Sequence, residues 1–233
     1  MISVCIPTFN GAHYIGDQLS SILQSSLVTE VIVSDDGSAD DTLEIVRSFR
    51  DDRIKIFIGP SSGLVKNIEY LLSLTSGDYI FLADQDDIWF PSKVEVMLSY
   101  IQKADMVICD CMVVDTQLNI VHPSFFTLRK SGKGLLKNLM RNSYLGCCLA
   151  FRRSLLEYAL PFPVSLPMHD WWLGLIAESF GKVIFINEPL IMYRRHGKNF
   201  SSTAERSYST WRTRIYWRYS LLSSLIKRKL NSL

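Results

Sequence analysis

Apolar and polar positions alternate in two rhythms along the first hundred residues. Residues 2–7 form an apolar run that ends ahead of a turn at Asn10-Gly11, and residues 13–23 then carry apolar positions at helical spacing. A second short apolar run covers 31–33, and 41–49 place Leu43, Ile45, Val46 and Phe49 on a helix. Residues 54–58 alternate around Lys55 as a third strand. A helix follows over 64–74, and Gly77-Asp78 breaks it before a strand at 79–82. Strands separated by helical segments of this length predict βαβ units and a parallel sheet. Ligands of such sheets sit beyond the carboxyl ends of the strands. The loops 8–10, 35–38 and 84–87 are therefore the candidate binding elements.

The second half changes texture. Residues 106–114 read as a buried strand, 122–130 as irregular and 134–141 as a short basic helix. Residues 144–151 read as a strand with Gly146 inside it, and 169–180 as a helix opened by His169-Asp170-Trp171-Trp172. Two short strands, 183–186 and 190–193, precede a polar loop at 194–202. With no internal repeat and no long linker, the pattern predicts one mixed α/β domain over 1–204. Its first half would be 1–104 and its second half 105–204, with a basic helical tail over 205–233.

Composition narrows the class. With 48% hydrophobic and 21% charged residues, the 233-residue chain is neither disordered nor fibrous. It has no apolar run of membrane-spanning length. Its first residues lack the basic flank and small-residue cleavage site of a signal peptide, so a cytoplasmic protein is expected. The five cysteines, an odd number, then read as reduced and structural. The net charge of +2 conceals an asymmetry: residues 205–233 carry seven basic side chains and only Glu205. The body is thus acidic on balance, and the tail is suited to an anionic surface.

Four segments carry candidate chemistry. In Asp35-Asp36-Gly37-Ser38 the carboxylates can accept hydrogen bonds from a nucleobase or ribose, or one can simply cap the next helix. Asp84-Gln85-Asp86-Asp87 crowds three carboxylates at a strand end, an arrangement that suits Mg²⁺ or Mn²⁺. It reads alternatively as a solvated turn with Asp87 capping a helix from Ile88, or as the start of a haloacid-dehalogenase-type phosphatase. His169-Asp170-Trp171-Trp172 offers an acid–base group at a helix start, with two indoles that either join the core or floor a sugar site. Tyr193-Arg194-Arg195-His196, with Lys198 and Asn199 beyond it, can clamp a diphosphate or complete a metal site.

Taken in order and spacing, these segments resemble glycosyltransferase family 2. The resemblance rests on Ser3 through Asn10, Val33 through Ser38, Gly77 through Trp89, His169-Asp170 and Tyr193 through His196, and spans about residues 1–200. It implies the GT-A fold (a Rossmann-like, mostly parallel sheet flanked by helices), a nucleotide-diphosphate sugar donor, and inversion at the anomeric carbon. The versions of the motifs here are most similar to bacterial enzymes of O-antigen and other surface-polysaccharide assembly, rhamnosyltransferases among them. Carried over, Pro7, Thr8 and Asn10 would line the nucleotide pocket, with Asp36 and Asp35 on the base. Lys66 and Asn67 would contact the donor beside Gln85. Asp84 and Asp86 would match the Asp-x-Asp metal motif, with His196 completing the site for Mn²⁺ or Mg²⁺. Asp170 would be the catalytic base, and Gly146, His169, Trp171 and Trp172 would face the acceptor. The family commonly has Glu-Asp where this chain has His169-Asp170, so the role of His169 is open. The expected acceptor is a glycan linked to polyprenyl diphosphate, which would hold the enzyme at the inner face of the plasma membrane through its tail. Nucleic acid is not an expected partner, and a homodimer stays open. A non-catalytic nucleotide-sugar-binding module is the remaining alternative.

Overall fold

The computed structural model describes residues 1–196 and 210–232. Its elements in chain order begin with β1 (Ile2–Thr8), α1 (Ile15–Leu23), β2 (Glu30–Asp35), α2 (Thr42–Ser48), β3 (Ile54–Ile58), α3 (Leu64–Leu74) and β4 (Tyr79–Leu82). They continue with β5 (Ile88–Trp89), α4 (Lys93–Ile101), β6 (Met106–Val114), β7 (Ile120–His122), α5 (Phe125–Arg129) and α6 (Leu135–Met140). The last are β8 (Leu149–Arg152), α7 (Leu156–Ala159), α8 (His169–Phe180), β9 (Val183–Arg194) and α9 (Trp211–Asn231).

One sheet runs β3-β2-β1-β4-β8-β6-β9-β5, with β7 added to β6. The strands β1 to β4 are parallel, and β1 lies at their centre with all seven residues buried. Helices cover both faces of such a sheet, which is why β1 and β2 are buried along their whole length, while the edge strand β3 mixes half-buried and exposed positions. In α1, Ile15, Leu19 and Ile22 are buried at steps of four and three, the seam that an amphipathic helix lays on a sheet. Register then gathers the loops: Thr8 pairs with Asp35, and Cys5 with Leu82. The three strand ends therefore open on one side of the sheet.

The second half, from residue 105, inserts β8 antiparallel between β4 and β6. Several local expectations change here. Ile88 begins a two-residue strand against β9 rather than a helix, so Asp87 caps nothing. The two short strands expected at 183–186 and 190–193 are one strand, β9, with register shifts opposite Asp110. Residues 122–130 contain α5, capped by Ser124, whose side chain accepts from the Thr127 amide. The strand expected from 144 starts at Leu149, because Gly146–Cys148 form a 3-10 turn. The polar loop at 197–202 and the first residues of the tail lie outside the described residues. All five cysteines are free and buried.

A buried carboxylate fastens the start of β2 to its neighbours. Glu30 accepts from Ser3 Oγ, from Ser76 N (2.8 Å) and Oγ (2.9 Å), and from Lys55 Nζ (2.7 Å). Burial alone would raise its pKa, but the bonds from Lys55, Ser3 and Ser76 outweigh burial and hold it at about 2. A depressed acid contributes stability above its unfolded value and loses it as pH falls through the folded one. Glu30→Gln should therefore lose on the order of 2 kcal/mol at neutral pH. Its chemical-denaturation stability should also vary less than wild type between about pH 4.5 and 2.

Candidate active site

The strand ends open on a cavity of about 1130 Å³. Pro7, Thr8, Asn10, Asp36 and Asn67 form one wall, and Asp84, Gln85 and Asp86 form the floor. Gly146, His169, Asp170 and His196 close the other side.

The first wall is stiffened by side chains turned back onto the backbone. Asp35 is buried and accepts from Thr8 Oγ1 (3.0 Å), Ser38 N (2.8 Å) and Gly37 N (3.2 Å). Asp36 reaches the cavity. Its Oδ2 accepts from Gly63 N at 2.8 Å, while its buried Oδ1 has no hydrogen-bond partner among the described residues. Asn67 exchanges bonds with Ser34, donating to its carbonyl at 3.0 Å. Gln85 pairs with both the amide and the carbonyl of Phe9, so the floor is tied to the end of β1.

The floor is an electrostatic problem. Burial raises the Asp84 pKa to about 7, with the Asp86 and Asp170 charges adding to the rise and Lys93 opposing it. Burial likewise raises Asp86, against the pull of His196, whose Nε2 lies 2.7 Å from Asp86 Oδ2. Asp87 is raised well above the usual carboxylate range by burial and by its two acidic neighbours. It accepts from the Arg194 amide at 3.0 Å. Beneath them Lys93 is fully buried, its Nζ donating to the Cys147 carbonyl at 2.9 Å and lying 3.6 Å from the centre of the Trp89 ring. Tyr14 stacks on His196 at 4.8 Å, and the Arg194 guanidinium covers Tyr14 at 4.7 Å.

Hard carboxylate oxygens crowded until burial and repulsion raise their pKa values form a site that a divalent cation would relieve. Asp84, Asp86 and His196 all line the cavity and offer donors of the right chemistry, although their donor atoms are not gathered within 4.8 Å of one another. Among the described residues, the group whose donor atoms lie within 4.8 Å of one another is Asp84, Asp87 and Cys147. Asp87 and Cys147 are fully buried and do not line the cavity, and burial keeps the Cys147 thiol protonated.

On the far side, Asp170 stands in the first turn of α8, accepting from the Trp171 amide (2.5 Å) and Asn142 Nδ2 (3.2 Å). Burial outweighs these bonds and raises its pKa to about 7. Burial pushes His169 the other way, to about 4, so the ring is neutral at pH 7. Its Nδ1 has no hydrogen-bond partner among the described residues.

The sequence profile named Glycosyl transferase family 2 matches residues 3–159, two thirds of the chain. The chain belongs to glycosyl transferase family 2. Among relatives, this glycosyltransferase is 27% identical to the E. coli UDP-Glc:alpha-D-GlcNAc-diphosphoundecaprenol beta-1,3-glucosyltransferase WfgD. That match covers 77% of this chain and 71% of WfgD. It is 28% identical to the Shigella flexneri dTDP-rhamnosyl transferase RfbG, over 82% of this chain and 72% of the relative. The fold matches S. aureus TarS 1–349 in complex with UDP-GlcNAc with a TM-score of 0.72 and 19% identity. This comparison covers 99% of this chain and 66% of the TarS chain. The glycosyltransferase thus spans less than two thirds of the TarS structure and about seven tenths of the two relatives.

The structure brings most of the sequence-derived site together, with three corrections. Asp35 is a buried buttress of the loop and does not reach a base. Lys66 pairs with Glu69 at 2.6 Å on the helix surface, outside the cavity lining. Trp171 and Trp172 belong to the core and cannot floor a sugar, their indole nitrogens donating to Asn138 O (2.6 Å) and Ala159 O (2.9 Å). Lys198 and Asn199 lie outside the described residues. Three side chains at the site escape sequence reading. Lys93 sits in an ordinary amphipathic helix, Asn142 in a basic stretch, and Tyr14 beside a turn; none carries a local motif.

Gly146 is the tightest point of the wall, since a Cβ there would fall 2.7 Å from His169 Nε2. Gly146→Ala should displace the His169 ring and lower turnover by about tenfold or more, the usual sensitivity of positioned groups. Thermal melting of the variant should stay within a few degrees of wild type.

Proposed function

We propose that this chain is an inverting, divalent-cation-dependent transferase. It moves a sugar from a nucleoside-diphosphate donor to a hydroxyl of a glycan acceptor. The observation that carries the reading is one cavity with a carboxylate floor on one side and Asp170 on the other.

The donor would lie along the first wall. Asp36 lines the cavity and its Oδ1 has no hydrogen-bond partner among the described residues, so it would accept from a nucleobase N–H, with Pro7, Thr8 and Asn10 shaping the pocket around it. Asp84, Asp86 and His196 would hold Mn²⁺ or Mg²⁺, which when bound neutralises charge growing on the diphosphate leaving group. Asp170 would accept the proton of the attacking hydroxyl. A pKa of about 7 suits that task, because the carboxylate is substantially ionised at neutral pH yet basic enough to take a proton. Asn142 and the Trp171 amide aim it, and neutral His169 beside it offers a hydrogen-bonding edge to the acceptor without competing for the proton.

UDP-sugars and dTDP-rhamnose are the donors supported by WfgD, TarS and RfbG. The name of WfgD supports an acceptor on a polyprenyl diphosphate; such a reaction would belong to bacterial surface-polysaccharide synthesis at the cytoplasmic face of the plasma membrane. A screen of nucleotide sugars for cation-dependent release of nucleoside diphosphate tests the class directly. No release with any donor would refute it.

Two substitutions test the roles. Asp170→Asn should retain donor binding by calorimetry and lose transfer by about 10²-fold or more. In the wild type kcat/KM should rise with pH through about 7, as the raised acid ionises, and Asp170→Asn should lose that limb. Asp86→Ala should abolish Mn²⁺- or Mg²⁺-dependent turnover with its circular dichroism unchanged.

A further inference from the structure

The tail helix α9 is docked on the domain and yet leaves an apolar stripe uncovered. It packs against α6 and α8 through buried Leu221 and Leu225. Polar clamps flank that contact: Arg218 donates to the Met140 carbonyl, Lys229 to the Ser179 carbonyl (3.1 Å), and Ser220 to the Ser165 carbonyl (3.2 Å). The stripe formed by Trp211, Ile215, Leu222 and Ile226 is turned about a quarter of a turn away from this seam, as helical spacing requires. All four are exposed, Trp211 at 67% and Ile215 at 58%. On the neighbouring α6, Leu136 and Met140 are one turn apart and are exposed at 76% and 62%.

The two segments themselves carry charge of one sign, with Glu178 of α8 bonded to Gly134 and Asn138 on the domain side of α6. Residues 129–141 and 210–232 together contain eleven Lys and Arg and no Asp or Glu. An exposed apolar surface rimmed by such charge matches an anionic lipid interface, where apolar side chains enter the headgroup boundary and basic ones meet lipid phosphates. Another copy of the same face would oppose it with like charge. Among the described residues no helix is long and apolar enough to cross a membrane, so the contact would be peripheral.

The same elements reach the acceptor end of the cavity. The α6 carbonyl of Asn138 holds the Trp171 indole, Asn142 just beyond α6 bonds to Asp170, and Arg218 of α9 lies 5.8 Å from the Trp171 ring. We propose that α6 and α9 together form a docking face for an anionic bilayer, set beside Asp170 so that a bilayer-borne acceptor enters the cavity from that side. The second half of this statement rests on the transferase reading above; the docking face stands without it.

Sedimentation of the full chain with vesicles tests the proposal. The probes are pure phosphatidylcholine and phosphatidylcholine with about 30% phosphatidylglycerol. Binding is expected only to the anionic vesicles, and should weaken about tenfold or more between about 0.05 M and 0.5 M salt. Leu136→Glu/Met140→Glu and Ile215→Glu/Ile226→Glu alter exposed positions outside the cavity. Each pair should weaken vesicle binding about tenfold with unchanged melting. Absence of binding to anionic vesicles, or equal binding to neutral ones, overturns the docking face. An α6 pair that binds like wild type removes α6 from it and overturns the two-helix proposal. Hydrolysis of nucleotide sugars without vesicles is the separate readout of the transferase reading. Its absence in the wild type would sink that reading and leave the vesicle result standing.

Discussion

The site is organised around the cost of crowding carboxylates at the end of one buried strand. Asp84, Asp86 and Asp87 leave β4 together, Asp170 approaches from α8, and burial and mutual repulsion push the floor acids toward protonation. Such a cluster persists only when the surrounding structure supplies compensation. Here it comes from buried Lys93, from His196 against Asp86, and from the Arg194 amide on Asp87.

That compensation also joins the two halves of the molecule. Lys93 belongs to α4, yet its ammonium holds the Cys147 carbonyl in the turn that carries Gly146. The acid floor and the wall that carries Gly146 therefore share one fastening. The strand β9 runs parallel to β6 and antiparallel to β5, and so returns Arg194 and His196 to the acid cluster more than a hundred residues after it. Tyr14, between the Arg194 guanidinium and the His196 ring, ties that return to the end of β1. Burial acts in opposite directions on Asp170 and His169, raising the acid and keeping the imidazole neutral beside it.

The placement of α9 adds a second organising feature. A helix held by two leucines and several carbonyl clamps leaves its other apolar positions in solvent, beside the exposed apolar residues of α6. Packing and exposure are thus served by different stripes of one helix. The stripe of Trp211, Ile215, Leu222 and Ile226 is the outer one, and Leu221 and Leu225 form the seam.

Much of this was legible in the sequence because it is local. The parallel strands β1 to β4 announce themselves as buried runs between helical periods, and their boundaries fall within a few residues of expectation. Loop acids that follow those runs, Asp36, Asp84 and Asp86, are placed by topology alone, since parallel strands deliver their carboxyl ends to one side. The order and spacing of motifs was enough to identify the family. What remained was decided by contacts between distant segments. Asp35 and Asp36 are adjacent and chemically identical, and only the register of β1 against β2 turns the first onto Thr8 and leaves the second in the cavity. Lys66 was lost to Glu69, one helical turn away. Trp171 and Trp172 read equally as core or as sugar platform until the carbonyls of Asn138 and Ala159 took their indole N–H groups. Lys93 could not be found at all, because a buried ammonium has no sequence signature apart from the charges and carbonyl that the fold brings to it.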